Sequence, residues 1–239
     1  MCGMYWANFL HIYQPPTQKE IWVRRITNES YRKIFSGLLG IKRASLSLNI
    51  NGILCELLEK YGGRDVLDNI RTLLKNGNLE LTGSAKYHAF LPLLPESEIE
   101  RQILLNEETL NKYFGSGWKR GGFFSPEMAY SKKVVKVAAR LGYQWIIMDE
   151  LGFPTGKGTM SREKIYKVKD VNDFSVFFRE RNLSFTILSA QVGTVPTILR
   201  YLGPRLESNE YVVTAMDGET FGHHRPGLEM LLFDLFNEE

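Results

Sequence analysis

The chain reads as an α/β protein, an incomplete TIM-like (β/α)7 barrel with parallel strands and its chemistry at the C-terminal ends of those strands. Three observations predict this. Seven short apolar runs recur along the 239 residues, helix-period segments fill most of the gaps between them, and the polar residues of chemical interest fall just after the runs. Strands separated by helices pair in parallel through right-handed crossovers. Seven such units favour an incomplete barrel, while periodicity alone leaves an open sheet as the alternative. Both place a site at the carboxyl ends of the strands.

In order, the strand-like runs are residues 5–10, 44–50, 79–83, 121–125, 143–148, 175–179 and 211–216. Ile53, Leu54, Leu57, Leu58 and Tyr61 mark one buried helical stripe, and Val66, Leu67, Ile70, Leu73 and Leu74 a second that stops at Asn76-Gly77. Ser97-x-x-Glu100 after Pro95 predicts a capping box for a helix running towards Phe114. Pro126 is placed as the first residue of a helix whose stripe is Val134, Val137, Ala138 and Leu141, which puts Glu127 in its first turn. The Gly- and Lys-rich residues 151–173 read as a surface excursion, and a last helix is expected from Pro226.

Composition excludes several classes. Hydrophobic residues make up 44% and charged residues 24%, ordinary values for a globular domain with a sizeable core. Thirty basic against 27 acidic side chains, with no Lys/Arg run longer than two, leave no nucleic-acid footprint. No apolar stretch approaches membrane-spanning length and no basic segment precedes an apolar one at the N-terminus, so a cytoplasmic protein with no membrane partner is expected. Cys2 and Cys55 form no CxxC pattern and suggest neither a disulfide framework nor structural zinc. No cofactor and no metal is implied.

Four segments carry candidate chemistry. His11 and Gln14 sit in Phe9-Leu10-His11-Ile12-Tyr13-Gln14-Pro15-Pro16, where a strand becomes a rigid loop; His88 lies in Gly83-Ser84-Ala85-Lys86-Tyr87-His88. Glu127 follows the fourth run, and Asp217-Gly218-Glu219-Thr220-Phe221-Gly222-His223-His224 follows the seventh. Each has an ordinary structural account: a histidine satisfied by backbone, a turn histidine, a carboxylate compensating a helix dipole, an Asp-Gly turn. Taken together, the four converge on one barrel mouth. Two carboxylates from different strands among imidazoles and aromatic rings are what glycoside hydrolysis requires.

These residues resemble the catalytic region of glycoside hydrolase family 57, which holds retaining α-glucan enzymes such as α-amylases, 4-α-glucanotransferases, branching enzymes and amylopullulanases. The resemblance covers four of the family's five ordered motifs, between about residues 9 and 224. The family's His-x-His-Gln-Pro corresponds to His11-Ile12-Tyr13-Gln14-Pro15, with Tyr13 at the second histidine. A Gly-rich entry followed by His and Leu-Pro matches Gly83 through Pro92 with His88 in place. An aromatic-x-Pro-Glu matches Phe124 through Glu127, with Phe where Trp is more usual, and Asp-x-Glu-x-Phe-Gly is intact as Asp217 through Gly222.

The resemblance implies a (β/α)7 barrel with Glu127 as nucleophile and Asp217 as general acid/base. His11, Tyr13, Gln14, His88, Glu219 and His223 would bind the substrate, an α-glucan or maltooligosaccharide. Arg179 and Arg181, at the end of the sixth run, are read from position as charges near the site. Residues 1–239 are expected to form one barrel lacking the family's C-terminal helical domain. Apolar surface around Leu228, Met230 and residues 231–236 is then left to be covered. Two alternatives stand beside this reading: a catalytically impaired carbohydrate-binding relative, and a metal-dependent hydrolase of the polysaccharide deacetylase kind. The second lacks a His-x-x-x-His pair and an Asp-Asp pair at a strand end.

Overall fold

The computed structural model describes residues 3–154, 156 and 158–237; Cys2 lies outside them. Its strands are β1 (Tyr5–Ile12), β2 (Leu46–Ile50), β3 (Leu79–Leu81), β4 (Gly122–Phe123), β5 (Trp145–Asp149), β6 (Tyr166–Lys167), β7 (Ser175–Arg179) and β8 (Tyr211–Asp217). The helices are α1 (Glu20–Ile26), α2 (Arg32–Leu38), α3 (Gly52–Lys60), α4 (Arg64–Lys75), α5 (Glu96–Phe114), α6 (Lys132–Arg140), α7 (Arg181–Leu188), α8 (Val195–Leu202) and α9 (Glu229–Asn237). A π-helical turn, Thr27–Tyr31, joins α1 to α2.

Seven parallel strands follow the order β3-β2-β1-β8-β7-β5-β4, with the short β6 antiparallel on β7 inside the expected surface excursion. Gly83 joins the two ends of this order. Its N–H donates to the Gly122 carbonyl (2.9 Å) and its own carbonyl accepts from the Phe124 N–H (2.8 Å), so the sheet curls into a barrel. The β7–β8 seam is the loose one. Its single register pair is Arg179 with Val213, and β8 carbonyls and amides beyond it are taken by Arg179 Nη1 (to Ala215 O, 3.3 Å) and Ser184 Oγ (from Ala215 N, 3.2 Å).

Alternation along the strands sorts the apolar residues into layers. Phe9, Phe124, Ile147, Val213 and Ala215 fill the barrel interior. Leu10, Ile12, Leu48, Ile50 and Met216 face outward against α2, α3 and α4, and Phe123, Ile146, Val176 and Phe178 face outward on the other side. The stripe Val66, Leu67, Ile70, Leu73, Leu74 is buried throughout. Each such side chain withdrawn from water contributes about 1.5–3 kcal/mol.

Three local expectations differ from the structure. Ser97 lies inside α5 instead of ahead of it; Pro95 occupies the cap position with no side-chain bond, and Glu96 and Glu98 face the positive end of the helix dipole. Pro126 opens only a single turn, because Glu127 (φ 60°) and Met128 (φ 52°) leave the right-handed region; α6 starts at Lys132, capped by Ser131, whose side chain accepts from Val134 N (3.2 Å). The apolar surface expected near the C-terminus is largely covered. Leu228, Leu231 and Leu232 are buried, Phe233 packs on Gly37 of α2, and Met230 stays exposed. Among the described residues no helix is long and apolar enough to cross a membrane.

Candidate active site

A cavity of about 660 Å³ opens at the C-terminal ends of the strands. His11, Tyr13, Gln14, His88, Glu127, Asp217 and Glu219 all line it, as do Arg179 and Arg181. His223 does not. It turns outward to Glu29, Nδ1 to Oε2 2.6 Å, and its neighbour His224 lines the cavity in its place.

One wall is a run of stacked rings. Phe9 lies 5.4 Å from Phe124, Phe124 4.7 Å from His11, His11 4.8 Å from His88, and His88 4.4 Å from Tyr13, centroid to centroid. Register produces this. Phe9 and His11 share the inward parity of β1, and Asn49, the β2 partner of His11, places its Oδ1 2.8 Å from the ring Nδ1. Asn49 Nδ2 donates to Thr82 Oγ1 (3.3 Å), which leaves its carbonyl facing the ring, so Nδ1 carries the proton and Nε2 the lone pair. Burial, and next the neighbouring His88, push the His11 imidazole down to about 3 against the pull of Asn49. Burial also lowers His88, with Glu127 opposing. Both rings are therefore neutral near pH 7 and stack without charge repulsion.

The carboxylates face this wall. Glu127 stands on the strained turn after β4, where three residues with left-handed dihedrals (His88, Glu127 and Met128) border the cavity. Non-glycine residues in that region cost of order 1–3 kcal/mol each and concentrate at functional sites. Asp217, at the end of β8, opens to the cavity yet is crowded by protein. Burial, then the charge of Glu127, raise its pKa, while His224 and Arg179 pull it down. Glu219 is buried behind it. Burial lifts its carboxyl to about 7, and donors from Tyr31 OH and Gln14 Nε2 (3.1 Å) hold the rise in check.

A fourth carboxylate, Asp149 at the end of β5, lines the opposite wall. It receives Arg179 Nη2 (2.6 Å) and Arg181 Nη1 (2.8 Å), and both guanidiniums lie over the Phe185 ring, 5.1 and 4.5 Å from its centroid. Burial works to raise Asp149, but the Leu151 N–H and the two arginines outweigh it and the net shift is down. The strand-end rule that selected Asp217 applies equally to Asp149, and sequence reading passed over it. Tyr31, which reaches Glu219 from a helix, carried no local signal. Among the described residues no group of three or more His, Cys, Asp and Glu is arranged to hold a metal ion.

The family profile of glycosyl hydrolase family 57 matches residues 6–233. The chain belongs to glycosyl hydrolase family 57. Within this family it is similar to an α-amylase of Pyrococcus horikoshii, 25% identical over 231 residues that make up 94% of this chain and 35% of that protein. The chain thus spans about a third of that relative's length. Its fold matches the solved 4-alpha-glucanotransferase of Thermococcus litoralis with a TM-score of 0.81 at 24% identity, covering 99% of this chain and 36% of the other. It also matches the family 57 branching enzyme of Pyrococcus horikoshii with a TM-score of 0.80 at 20% identity, covering 99% of this chain and 67% of the other. These likenesses carry the fold, a family 57 seven-stranded parallel barrel.

Proposed function

We propose that this family 57 barrel is a retaining glycoside hydrolase or transglycosylase that acts on α-glucans by two displacements. One observation carries the reading: Glu127 and Asp217, from β4 and β8, share one cavity closely enough for the charge of the first to raise the pKa of the second. A carboxyl whose surroundings favour keeping its proton, beside a second carboxylate from another strand, is what an acid and a nucleophile require.

In the first displacement the Glu127 carboxylate attacks the anomeric carbon while Asp217 gives its proton to the glycosidic oxygen. The bond from that carbon to oxygen breaks, the shortened glucan leaves as an alcohol, and the sugar stays on Glu127 as an ester. In the second, the Asp217 carboxylate takes a proton from water or a sugar hydroxyl, whose oxygen attacks the same carbon and releases Glu127. Overall configuration is retained. Neutral His11 and His88, with Tyr13 and Gln14, line the wall where hydroxyl groups of the substrate would be held. Residues 1–239 act here as one barrel.

The test is a screen of maltooligosaccharides with product analysis, run on this chain and on Glu127→Gln, with the anomer of the first product read by NMR. Retention with the wild type and loss of at least about a thousandfold with Glu127→Gln are expected. Unchanged turnover in the variant, or an inverted product, would sink the assignment.

A further inference from the structure

The loop that follows β8, residues 218–223, is held from one side by three consecutive residues of the π-helical turn. Ser30 Oγ donates to the Gly218 carbonyl (2.9 Å). Tyr31 OH donates to Glu219 Oε1. Glu29 Oε2 meets His223 Nδ1 at 2.6 Å. The backbones also touch: a Cβ on Gly222, whose φ is +103°, would run into the Glu29 carbonyl. Ser30 and Tyr31 are both fully buried, so these bonds form away from competing water. Turns of π helix are rare and concentrate at functional sites.

The polarity of the network is uniform. Gln18 Nε2 donates to Gln14 Oε1 (3.0 Å), which turns the Gln14 amide nitrogen towards Glu219 Oε1 (3.1 Å) and the Tyr31 oxygen (3.1 Å). The Tyr31 hydroxyl, having accepted from Gln14, passes its own proton towards Glu219. Both named side-chain partners of that carboxylate are donors, an arrangement that suits its anion.

We infer that the π-helical turn is the positioning element of the catalytic loop, and that Tyr31 is a positioning residue: by anchoring Glu219, two residues on, it keeps the Asp217 carboxyl where it can protonate the leaving group. This rests on Asp217 being the general acid. The groups facing the Glu219 carboxylate are Tyr31 from the π turn, Gln14 from the loop after β1 and Asp217 from β8. Burial favours the proton on Glu219, and the donors oppose it. Without the phenol that anchor is lost, and the Asp217 carboxyl drifts from the oxygen it must protonate.

The experiment compares wild type with Tyr31→Phe, which keeps the buried ring and removes the donor. Thermal unfolding first establishes that the variant is folded. On a maltooligosaccharide, whose alcohol leaving group needs an acid, kcat falls about tenfold. KM stays within about twofold. On an α-maltoside of an acidic phenol, which leaves without a proton, the deficit disappears. Folded Tyr31→Phe with a wild-type kcat on the maltooligosaccharide overturns the inference. So does an equal loss on both substrates, since that is general loosening. If Tyr31→Phe does not fold, Ser30→Ala, which frees the Gly218 carbonyl, is judged by the same two substrates. Asp217→Asn runs in parallel: full activity there would sink the acid assignment itself, whereas its inactivity beside an unaffected Tyr31→Phe would sink only the role of Tyr31.

Discussion

His11 and Asp217 are register partners on the parallel β1–β8 ladder, so a buried imidazole and the proposed acid stand side by side at the top of two paired strands. The pairing works only if the ring is neutral. A charged His11 would favour ionised Asp217 and drain the proton that the reaction needs.

Nitrogen-15 NMR of the histidines tests this directly. His11 should show a protonated Nδ1, a bare Nε2 and no titration between about pH 5 and 8. An imidazolium signal from His11 near neutrality would show that Asn49 and burial do not set its state. Asn49→Leu removes the acceptor that selects the tautomer and should cost activity more than stability.

The same shift makes a prediction for acid stability. The His11 imidazole titrates at about 3 in the folded protein against 6.5 for the free group. Between those values the unfolded chain binds more protons than the folded one, so stability falls as pH drops through that window and levels off below it. The loss is on the order of a few kcal/mol. In His11→Gln the fall over this window should be shallower, as measured by urea unfolding at several pH values. An identical slope would place the acid sensitivity elsewhere.

Most of the barrel was legible because parallel strands buried on both faces appear as compact apolar runs. Helices such as α4 appear equally clearly as an unbroken stripe from Val66 to Leu74. What escaped is whatever depends on long-range geometry. The choice of His224 over His223 for the cavity turns on Glu29, some two hundred residues away in the chain, which captures His223. The break after Pro126 depends on dihedrals at Glu127 and Met128 that residue type does not announce. Tyr31 was invisible for the same reason: its partner lies on β8's loop, and nothing within its own helix distinguishes it from a core tyrosine.

Glu127→Gln should lower the pKa of Asp217. The negative charge of Glu127 adds to burial in raising it, so the neutral amide removes one of the two contributions and leaves Arg179 and His224 pulling down. Carbon-13 NMR of labelled aspartates in the variant gives the value independently of turnover. An unmoved or rising titration would mean that the two carboxylates do not sense each other.

Arg179→Met should act in the opposite direction. Arg179 pulls the Asp217 pKa down, so its loss lets Asp217 hold its proton to higher pH and moves the alkaline limb of the rate profile upwards. Asp149 keeps Arg181, but the largely buried Arg179 ion pair is broken, at about 3 kcal/mol. A variant with unaltered pH dependence would confine Arg179 to a structural role at the β7–β8 seam.

Gly83 is where the barrel closes, and its lack of a side chain is what allows closure. A Cβ there would run into the Tyr143 phenol. Tyr143 cannot swing aside: its hydroxyl donates to Glu107 Oε1 (2.9 Å), and Glu107 is itself gripped by Arg120 through Nε (2.9 Å) and Nη2 (2.6 Å). Gly83→Ala therefore pushes strand against ring, costing about 1–3 kcal/mol. The strain falls on the bonds to Gly122 and Phe124 that carry β4 and, three residues on from Phe124, Glu127. In a Tyr143→Ala background the same glycine substitution meets open space, so a double-mutant cycle should return a coupling of about 1 kcal/mol or more. Additive costs would mean that Tyr143 does not limit closure, and Glu127 would then owe its position to the strained turn alone.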